Sequence, residues 1–294
     1  MHTNPLPNFD ALWDYANPAN TEATFRLLLP QAIASGNISY HLQLLTQIAR
    51  AQGLQRQFTE AHLTLDGVAP LVQSEVSLAQ ARYFLERGRV FNSSGQPDEA
   101  VLWFTRAYQS AITQHAEYHA IDALHMLGIA APPEERLKWN EQALDLAEKT
   151  SDLQAQNWRG ALYNNIGWTY HDAGQYEQAM EMFQRAYVFQ QSTGNAKEIR
   201  IARWCIGREL RSLNHCQEAL ELQQALYADW AASGEQQAGY VSEEIAECLN
   251  ALGRQDESRP YFAEAFALLA KDPWFAAQEP ERLQRIYRLG KPVM

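Results

Sequence analysis

The sequence predicts an all-α fold, an α-solenoid of about six helical hairpins with a capping helix at each end. Three observations predict it: one stretch has the pattern of two packed helices, small residues recur at a nearly constant interval, and the pattern degrades toward both ends. We expect a single domain over residues 1–294, in which 1–38 form an N-terminal cap, 39–272 six repeats and 273–294 a C-terminal cap.

The clearest hairpin lies in Gly160–Ala186, with the sequence GALYNNIGWTYHDAGQYEQAMEMFQRA. Read as two helices joined by a turn at 172–175, the stretch aligns small and apolar residues on one face of each helix: Tyr163, Ile166, Gly167, Tyr170, Ala179, Phe183 and Ala186. One such hairpin cannot bury its apolar face alone, so it needs neighbours.

Neighbouring hairpins are indicated by a small residue that recurs every 39 or 40 residues. It stands at Ala49, Gly88, Gly128, Gly167, Gly207 and Ala246. Such regularity is typical of a solenoid, in which each repeat contacts mainly the repeats beside it. The third copy departs from the pattern because Pro132 and Pro133 end one helix and open the next. Four residues are missing there, which places Ala143 at a position that comes later in the other copies.

Both ends are expected to be closed by single helices. Residues 20–35 form a predicted amphipathic helix with Asn20 or Thr21 as its N-cap and a kink at Pro30. At the other end, the segment 279–290, EPERLQRIYRLG, predicts a last helix with a polar outer side.

The Gly160–Ala186 hairpin resembles the tetratricopeptide repeat, whose W-x2-L-G-x2-Y…A-x3-F pattern it meets at every position, with an aromatic standing for an aromatic at the first. The resemblance implies a right-handed solenoid in which the first helix of each pair lines a concave groove. It also implies that the groove binds proteins or peptides and is not catalytic.

Charge and composition disfavour several classes of function. The formal net charge of −11, without a run of Lys or Arg, argues against nucleic acid as a ligand. Neither a signal peptide nor a long apolar segment is evident, so we expect a cytoplasmic protein that does not enter the membrane. Three cysteines without C-x-x-C spacing favour buried thiols over a disulfide framework or a zinc site.

The residues predicted to face the groove share one register relative to the recurring small residue. The candidates for binding a protein or peptide are Arg50, Arg89, His125, Asn164, Asn165, Trp168, His171, Trp204, Arg208, Arg211, Tyr240 and Glu244. Six of these form one predicted patch: Asn164, Asn165, Trp168, Trp204, Arg208 and Tyr240. Its amides suit a peptide backbone, its rings supply contact area and its guanidinium suits a carboxylate. In the alternative interpretation the tryptophans pack on neighbouring helices and the asparagines face water.

Charge is predicted to change sign along the groove. Arginines lie toward one end and glutamates toward the other: Arg50, Arg82 and Arg89, then Glu243, Glu244 and Glu247. Such a gradient would orient a bound segment, whereas the alternative is a set of solvated surface charges.

The function classes that remain do not include catalysis. His115 and His119 lie four residues apart but straddle a predicted helix boundary, and no nucleophile elbow or phosphate loop is present, so we expect no metal, no cofactor and no catalytic residue. Three functions stay open: a scaffold that binds a protein or peptide, a ligand or signal-peptide sensor that acts on a separate effector, and a self-assembling solenoid that forms a homodimer.

Overall fold

The computed structural model describes residues 5–72, 77–233 and 239–291, and within these ranges the chain is helical and contains no β-strand. A 3-10 turn, Phe9–Leu12, precedes the α-helices. These are α1 Pro18–Ala34, α2 Ile38–Leu54, α3 Phe58–Val72, α4 Leu78–Ser93, α5 Pro97–Thr113, α6 Glu117–Ala130, α7 Pro133–Lys149, α8 Leu153–Gln156, α9 Trp158–Asp172, α10 Tyr176–Thr193, α11 Ala196–Ser212, α12 Cys216–Ser233, α13 Gly239–Ala251, α14 Gln255–Leu269, α15 Pro273–Gln278 and α16 Pro280–Leu289. The prediction of an all-α helical-repeat fold is confirmed.

The residue contacts divide the chain into two compact units, Met1–Leu162 (unit 1) and Tyr163–Met294 (unit 2), with the boundary inside α9. In unit 1 the first helices α2, α4 and α6 lie side by side, and each packs on its own second helix, α3, α5 or α7. In unit 2 α11 packs on α12 and α13, and α13 packs on α14. Each unit is thus a stack of helical hairpins, and the single-domain organisation stays a prediction.

Each hairpin closes where the recurring small residue meets one buried side chain of the second helix. A Cβ added at Gly88 would lie 2.5 Å from Cε1 of Phe104, and one added at Gly167 would lie 2.5 Å from Cε1 of Phe183. Only a hydrogen fits at these crossings. The six partner side chains are at most 1% exposed: Leu65, Phe104, Asn140, Phe183, Gln223 and Phe262. The predicted helix crossings are therefore present in both units.

Two of these crossings are closed by an amide side chain. Gln223 lies against Gly207, and its Nε2 donates a hydrogen bond to the backbone carbonyl of Trp204 over 3.0 Å. Asn140 lies against Gly128. In the described part of the chain neither Gln223 Oε1 nor Asn140 Oδ1 has a hydrogen-bond partner. Burial of an unbonded carbonyl oxygen opposes folding, so these are the less stable crossings.

The hairpin turn and the shortened third repeat follow the sequence predictions. α9 ends at Asp172, α10 begins at Tyr176, and Gly174 between them has a φ of 72°, a conformation that favours glycine. α7 begins at Pro133, and Ala143 is fully buried.

The predicted N-cap of the first helix is wrong. α1 begins at Pro18, and its N-cap is Asn17, whose side chain accepts a hydrogen bond from the backbone N of Asn20 over 3.1 Å. The Asn-Pro pair starts the helix earlier because proline at the first helical position needs no backbone donor. Thr21 instead accepts a hydrogen bond from the backbone N of Asp14 over 3.0 Å.

The C-terminal helix predicted from its sequence is α16, which packs on α14 and buries Ile286. None of the described helices combines the length and the apolar content needed to cross a membrane.

The glycines inside helices give a first test of the crossing geometry. Gly88→Ala is expected to lower the free energy of unfolding by about 1–3 kcal/mol because the buried Phe104 ring cannot move aside. Gly67→Ala, inside α3, is the matched control, since nothing lies within 4 Å of the added Cβ. It is expected to raise the free energy by up to about 1 kcal/mol through helix propensity. Urea unfolding followed by circular dichroism measures both, and a Gly88→Ala chain as stable as the wild type would contradict the geometry.

Candidate functional site

A row of aromatic rings crosses the first helices of unit 2. Trp168 on α9, Trp204 on α11 and Tyr240 on α13, here called the aromatic row, have ring centroids 5.8 Å apart at each step. Phe183 packs on one end, 5.3 Å from Trp168, and Phe275 packs on the other, 5.7 Å from Tyr240. The three rings of the row are half-buried. They are neither complete core side chains nor free surface groups.

The row runs diagonally across the helices. Its members are spaced by 36 residues (168, 204, 240), whereas the repeat is 39 or 40 residues long, so each step moves by about one helical turn. The indole N–H of Trp204 donates to the backbone carbonyl of Tyr240 over 3.1 Å, which fixes the ring. Trp204 can therefore offer a ligand only its apolar faces.

Beside the row, the glutamates of α13 are held by arginines from two other helices. Arg211 on α11 donates to both oxygens of Glu244 over 2.8 and 3.0 Å, and Arg208 lies 3.2 Å from the same carboxylate. On the far side, Arg282 of α16 donates to both oxygens of Glu243 over 2.7 and 2.8 Å. Glu243 and Glu244 are buried, so these paired hydrogen bonds compensate charges that water cannot reach.

The pKa shifts of this cluster follow from burial and pairing. Burial raises the pKa of the Glu243 carboxyl, and the hydrogen bond from Arg282 opposes that rise in part. Burial alone would lower the pKa of Arg211, but the hydrogen bond and charge of Glu244 outweigh it and hold that pKa above its usual range. The guanidinium therefore stays charged.

A histidine–carboxylate pair lies next to the aromatic row. His171 places Nδ1 2.7 Å from Oε2 of Glu209, whose side chain is fully buried, and its ring packs 5.0 Å from Trp168. The other ring nitrogen of His171 lies 3.4 Å from a guanidinium nitrogen of Arg208. His171 therefore contacts both the charged cluster, through Arg208, and the aromatic row, through Trp168.

These groups line a cavity of about 400 Å³ at the surface of unit 2. Its lining comprises Trp168, His171, Asp172, Trp204, Arg208, Arg211, Tyr240, Glu243, Glu244, Glu247, Arg282 and Arg285. Half-buried rings and paired charges around one cavity can take up an apolar side chain and a polar group side by side.

In unit 1 the first helices carry a buried ion-pair network. Arg89 donates to Glu86 over 2.7 Å and to both oxygens of Asp122 over 2.5 and 2.6 Å. Arg50 lies 3.7 Å from Glu86. Burial raises the pKa of Asp122, but the charges of Arg89 and Arg50 lower it more, so this carboxyl titrates below its usual range. Both carboxylates are buried, so Arg89 is the charge that compensates them.

The segment before α1 crosses the same helices. Arg82 donates to both oxygens of Asp10 over 2.8 and 2.5 Å, and the indole N–H of Trp13 donates to Gln47 over 3.1 Å. Beside this segment lies a cavity of about 300 Å³, whose lining includes His119 of α6.

The tetratricopeptide-repeat family model matches residues 160–193, and no curated protein matches the chain. The apo form of RapI superposes with a TM-score of 0.71 at 8% identity, covering 93% of this chain and 83% of RapI. Residues 160–193 thus match a tetratricopeptide repeat, and the chain has a helical-repeat fold.

Two further solved structures share the fold of this chain. A signal-transduction ATPase with a tetratricopeptide repeat sensor from Pyrococcus horikoshii has a TM-score of 0.69 at 14% identity, and the match covers 92% of this chain but 43% of that one. NprR in complex with its cognate peptide NprX has a TM-score of 0.55 at 14% identity, covering 93% of this chain and 80% of NprR. At these identities the likeness shows the fold alone.

The structure gathers most, but not all, of the predicted groove residues of the repeat protein. Seven of them line the cavity of unit 2: Trp168, His171, Trp204, Arg208, Arg211, Tyr240 and Glu244. Asn164 and Asn165 lie outside that lining, and Asn164 Oδ1 instead accepts a hydrogen bond from the thiol of Cys205 over 3.5 Å. Burial raises the pKa of that thiol to about 12. The predicted six-residue patch therefore does not lie together in one lining.

The remaining three predicted residues lie in unit 1. Arg50 lines the smaller cavity, Arg89 is occupied by two carboxylates, and His125 packs 5.0 Å from the ring of Trp158. Within each unit these charges lie next to partners of opposite sign, and the change in charge sign along the groove stays a prediction. The local pairs reflect the cost of burying charge without a partner.

Sequence reasoning missed the arginines of α16 and the segment 8–15. Arg282 follows Glu243 by one repeat length, so a search for opposite charges at the repeat spacing would have found this pair. The contacts of Asp10 and Trp13 have no such signal, because the segment precedes the first repeat. Among the described residues no three His, Cys, Asp or Glu side chains are grouped as metal ligands would be.

The free energy of unfolding is expected to depend on pH through the protonation of His119 in unit 1. Burial and the charge of Arg82 lower the pKa of His119 to about 4, against about 6.5 in the unfolded chain. Between these values the unfolded chain binds a proton that the folded chain does not, so the free energy of unfolding falls as pH decreases from 7 to 4. Asp122 and Asp10 face the ring with the opposite effect, and Arg89 adds to that of Arg82.

The measurement compares urea unfolding of the wild type and His119→Gln at pH 7, 6, 5 and 4. The wild type is expected to lose up to about 3 kcal/mol more than the variant over this range. Parallel curves for the two chains would contradict the assignment.

Proposed function

We propose that this helical-repeat protein is a non-catalytic binding protein and that unit 2 binds an extended peptide or protein segment at the cavity beside the aromatic row. The observation that carries the proposal is the joint lining of one cavity by half-buried rings and charged side chains from several helices. Rigid aromatic side chains with partly exposed faces supply binding area at a small entropic cost.

The charged residues of the cavity are proposed to divide into two roles. Arg211 and Arg282 each make two hydrogen bonds to one carboxylate, which suits a role in holding α11, α13 and α16 in place. Arg208 has the longer contact with Glu244, 3.2 Å, and it lies beside His171. Arg208 is therefore the guanidinium that a carboxylate of the ligand would share.

Trp204 and Tyr240 also border a second, apolar cavity of about 330 Å³. Its lining includes Ile201, Trp230 and Val241, together with Lys197 and Arg200, whose side chains have long hydrocarbon stems. The same two rings thus separate a charged cavity from an apolar one. A segment with an acidic residue next to a bulky apolar residue has the chemistry to use both sides.

A peptide-display experiment tests the proposal. A library of random 12-residue peptides displayed on phage is selected on the immobilised full chain, and enriched sequences are made as labelled peptides for fluorescence anisotropy. We expect Arg208→Gln and Trp204→Ala to weaken binding by at least tenfold, about 1.4 kcal/mol. Val188→Ala, at an exposed position of α10 in the same unit, is the matched control and is expected to bind as the wild type does.

The outcome is interpreted together with the stability of each variant. Circular dichroism and thermal unfolding show whether Trp204→Ala remains folded, and Arg208→Gln tests the cavity without removing a ring. No enriched peptide, or enriched peptides that bind both variants as tightly as the wild type, would overturn the proposal.

A sensor that acts on a separate effector is the second candidate, because NprR, a structural neighbour, is described in complex with its cognate peptide. A sensor must also change conformation when the peptide binds. Faster or slower hydrogen exchange in unit 1 on peptide addition would favour this function over a passive scaffold. The homodimer remains a third proposal, which light scattering at two protein concentrations tests.

A further inference from the structure

The segment before α1 occupies unit 1 as a ligand would. The guanidinium of Arg82 donates hydrogen bonds to both carboxylate oxygens of Asp10 in this segment, over 2.8 and 2.5 Å. Three residues later, the indole N–H of Trp13 reaches the side-chain oxygen of Gln47 at 3.1 Å. A two-point carboxylate contact and a fixed indole are the features by which protein surfaces select an acidic and an aromatic residue together.

A third contact is made through aromatic rings and a cation. The rings of Trp13 and Tyr15 are stacked, with centroids 4.8 Å apart and planes 8° apart. The guanidinium carbon of Arg50 lies 5.5 Å from the Trp13 ring and 5.4 Å from the Tyr15 ring. Both rings are thus within the distance at which a cation is attracted to an aromatic face.

The cation that pairs with Asp10 of the segment is distinct from the cation that compensates the buried carboxylates. Arg89 compensates Glu86 and Asp122, and it makes its short contacts within the helices. Arg82 makes its ion pair with the segment. A bound acidic group can therefore exchange at Arg82 without exposing the buried carboxylates beside Arg89.

The residues of the segment differ in how deeply they are buried. Phe9 is buried at 5% exposure, and its ring packs on Phe25 and Tyr40. After it, the side chain of Asp10 is 40% exposed and Tyr15 is 59% exposed, whereas Trp13 is half-buried with its ring 5.3 Å from that of Phe25. The partly exposed Asp10 contact contributes little stability, so residues 10–15 can give way to a segment that supplies the same aspartate and indole contacts while Phe9 stays in place.

We propose that this face of unit 1 is a binding surface for an acidic-aromatic segment of another protein, one with an aspartate three residues before a tryptophan. Residues 10–15 of the chain occupy the surface and are displaced when such a segment binds. Because the resident segment is tethered, its effective concentration lies in the millimolar range, and a competing segment has to bind against it. The surface is separate from the cavity of unit 2.

The test uses a fluorescein-labelled peptide with the sequence of residues 10–17, DALWDYAN, and the full chain. The double variant Asp10→Ala/Trp13→Ala removes the resident contacts with Arg82 and Gln47. We expect the peptide to bind this variant at least tenfold more tightly than the wild type, as measured by fluorescence anisotropy. Leu12→Ala, an exposed change in the same segment, is the matched control and is expected to bind as weakly as the wild type.

A third change identifies the surface. Arg82→Gln added to the double variant is expected to weaken peptide binding by at least tenfold. The proposal is overturned if the peptide binds the wild type and the double variant equally, if binding survives Arg82→Gln, or if a folded double variant does not bind.

A measurement on the wild type does not depend on the folding of any variant. Hydrogen exchange at the amides of residues 10–15 is recorded with and without the unlabelled peptide at millimolar concentration. Displacement predicts faster exchange at these amides when the peptide is present, and unchanged exchange would overturn the proposal.

Discussion

Replacing Arg89 with methionine is expected to lower the free energy of unfolding by about 3–5 kcal/mol at pH 7. The change leaves two carboxylates, Glu86 and Asp122, with 1% and 4% exposure and without their shared guanidinium. Arg50 is too distant from Glu86, at 3.7 Å, to replace it in full. Urea unfolding followed by circular dichroism measures the loss.

Two controls separate a buried charge from the loss of a side chain. The triple variant Arg89→Met/Glu86→Gln/Asp122→Asn removes the carboxylate charges as well and is expected to regain most of the stability. Arg26→Met removes an exposed pair with Glu22 from the same unit and is expected to cost less than about 1 kcal/mol. Equal losses in Arg89→Met and Arg26→Met would show that burial adds nothing to the pair.

The ion pair of Arg89 with Asp122 also makes the free energy of unfolding depend on pH in acid. Because the pKa of Asp122 is held below its usual value of 3.8, its contribution to stability is present above that pH and is lost as pH falls through the folded-state value. In Arg89→Met this acid loss is expected to disappear, since protonation then relieves an uncompensated charge.

Replacing Phe183 with alanine is expected to lower the free energy of unfolding by about 3–5 kcal/mol. Its ring is fully buried, closes the crossing at Gly167 and packs on Trp168 at 5.3 Å. Val188→Ala is the control in the same helix; the side chain is 65% exposed, and the change is expected to stay within about 0.5 kcal/mol. Thermal or urea unfolding measures both.

A double-mutant cycle makes the test specific to the crossing. Gly167→Ala is expected to cost about 1–3 kcal/mol in the wild type, where the new Cβ meets the ring, and close to nothing in Phe183→Ala, where the ring is gone. Additive losses would mean that the two residues do not form the crossing.

The helical-repeat fold could be predicted from the sequence because its determinants are local and periodic. Gly88 and Phe104, or Gly167 and Phe183, stand at fixed positions in each repeat, and the same contact recurs at each of them. The start of α7 at Pro133 can also be predicted from the sequence, because proline has no backbone donor and can open a helix.

The candidate site could be predicted in part. Trp168, Trp204 and Tyr240 were expected to lie together, and the diagonal spacing of 36 residues that aligns their rings can be read in the sequence. The ion pairs were not foreseen, since register alone does not say which charges the helices bring within bonding distance. The α16 arginines and the segment 8–15 lie outside the repeats, so their contacts depend on tertiary structure that no period describes.

The amide crossings at Asn140 and Gln223 are expected to resist separation of their two helices less than the phenylalanine crossings do. Where a phenylalanine closes a hairpin, separating its two helices exposes a hydrocarbon surface to water, which is strongly opposed. Where an amide closes it, separation lets water bond to an oxygen that was bare in the folded state. If the chain is stretched between two partners, each unit thus has one joint at which it yields first: α6 with α7 in unit 1 and α11 with α12 in unit 2.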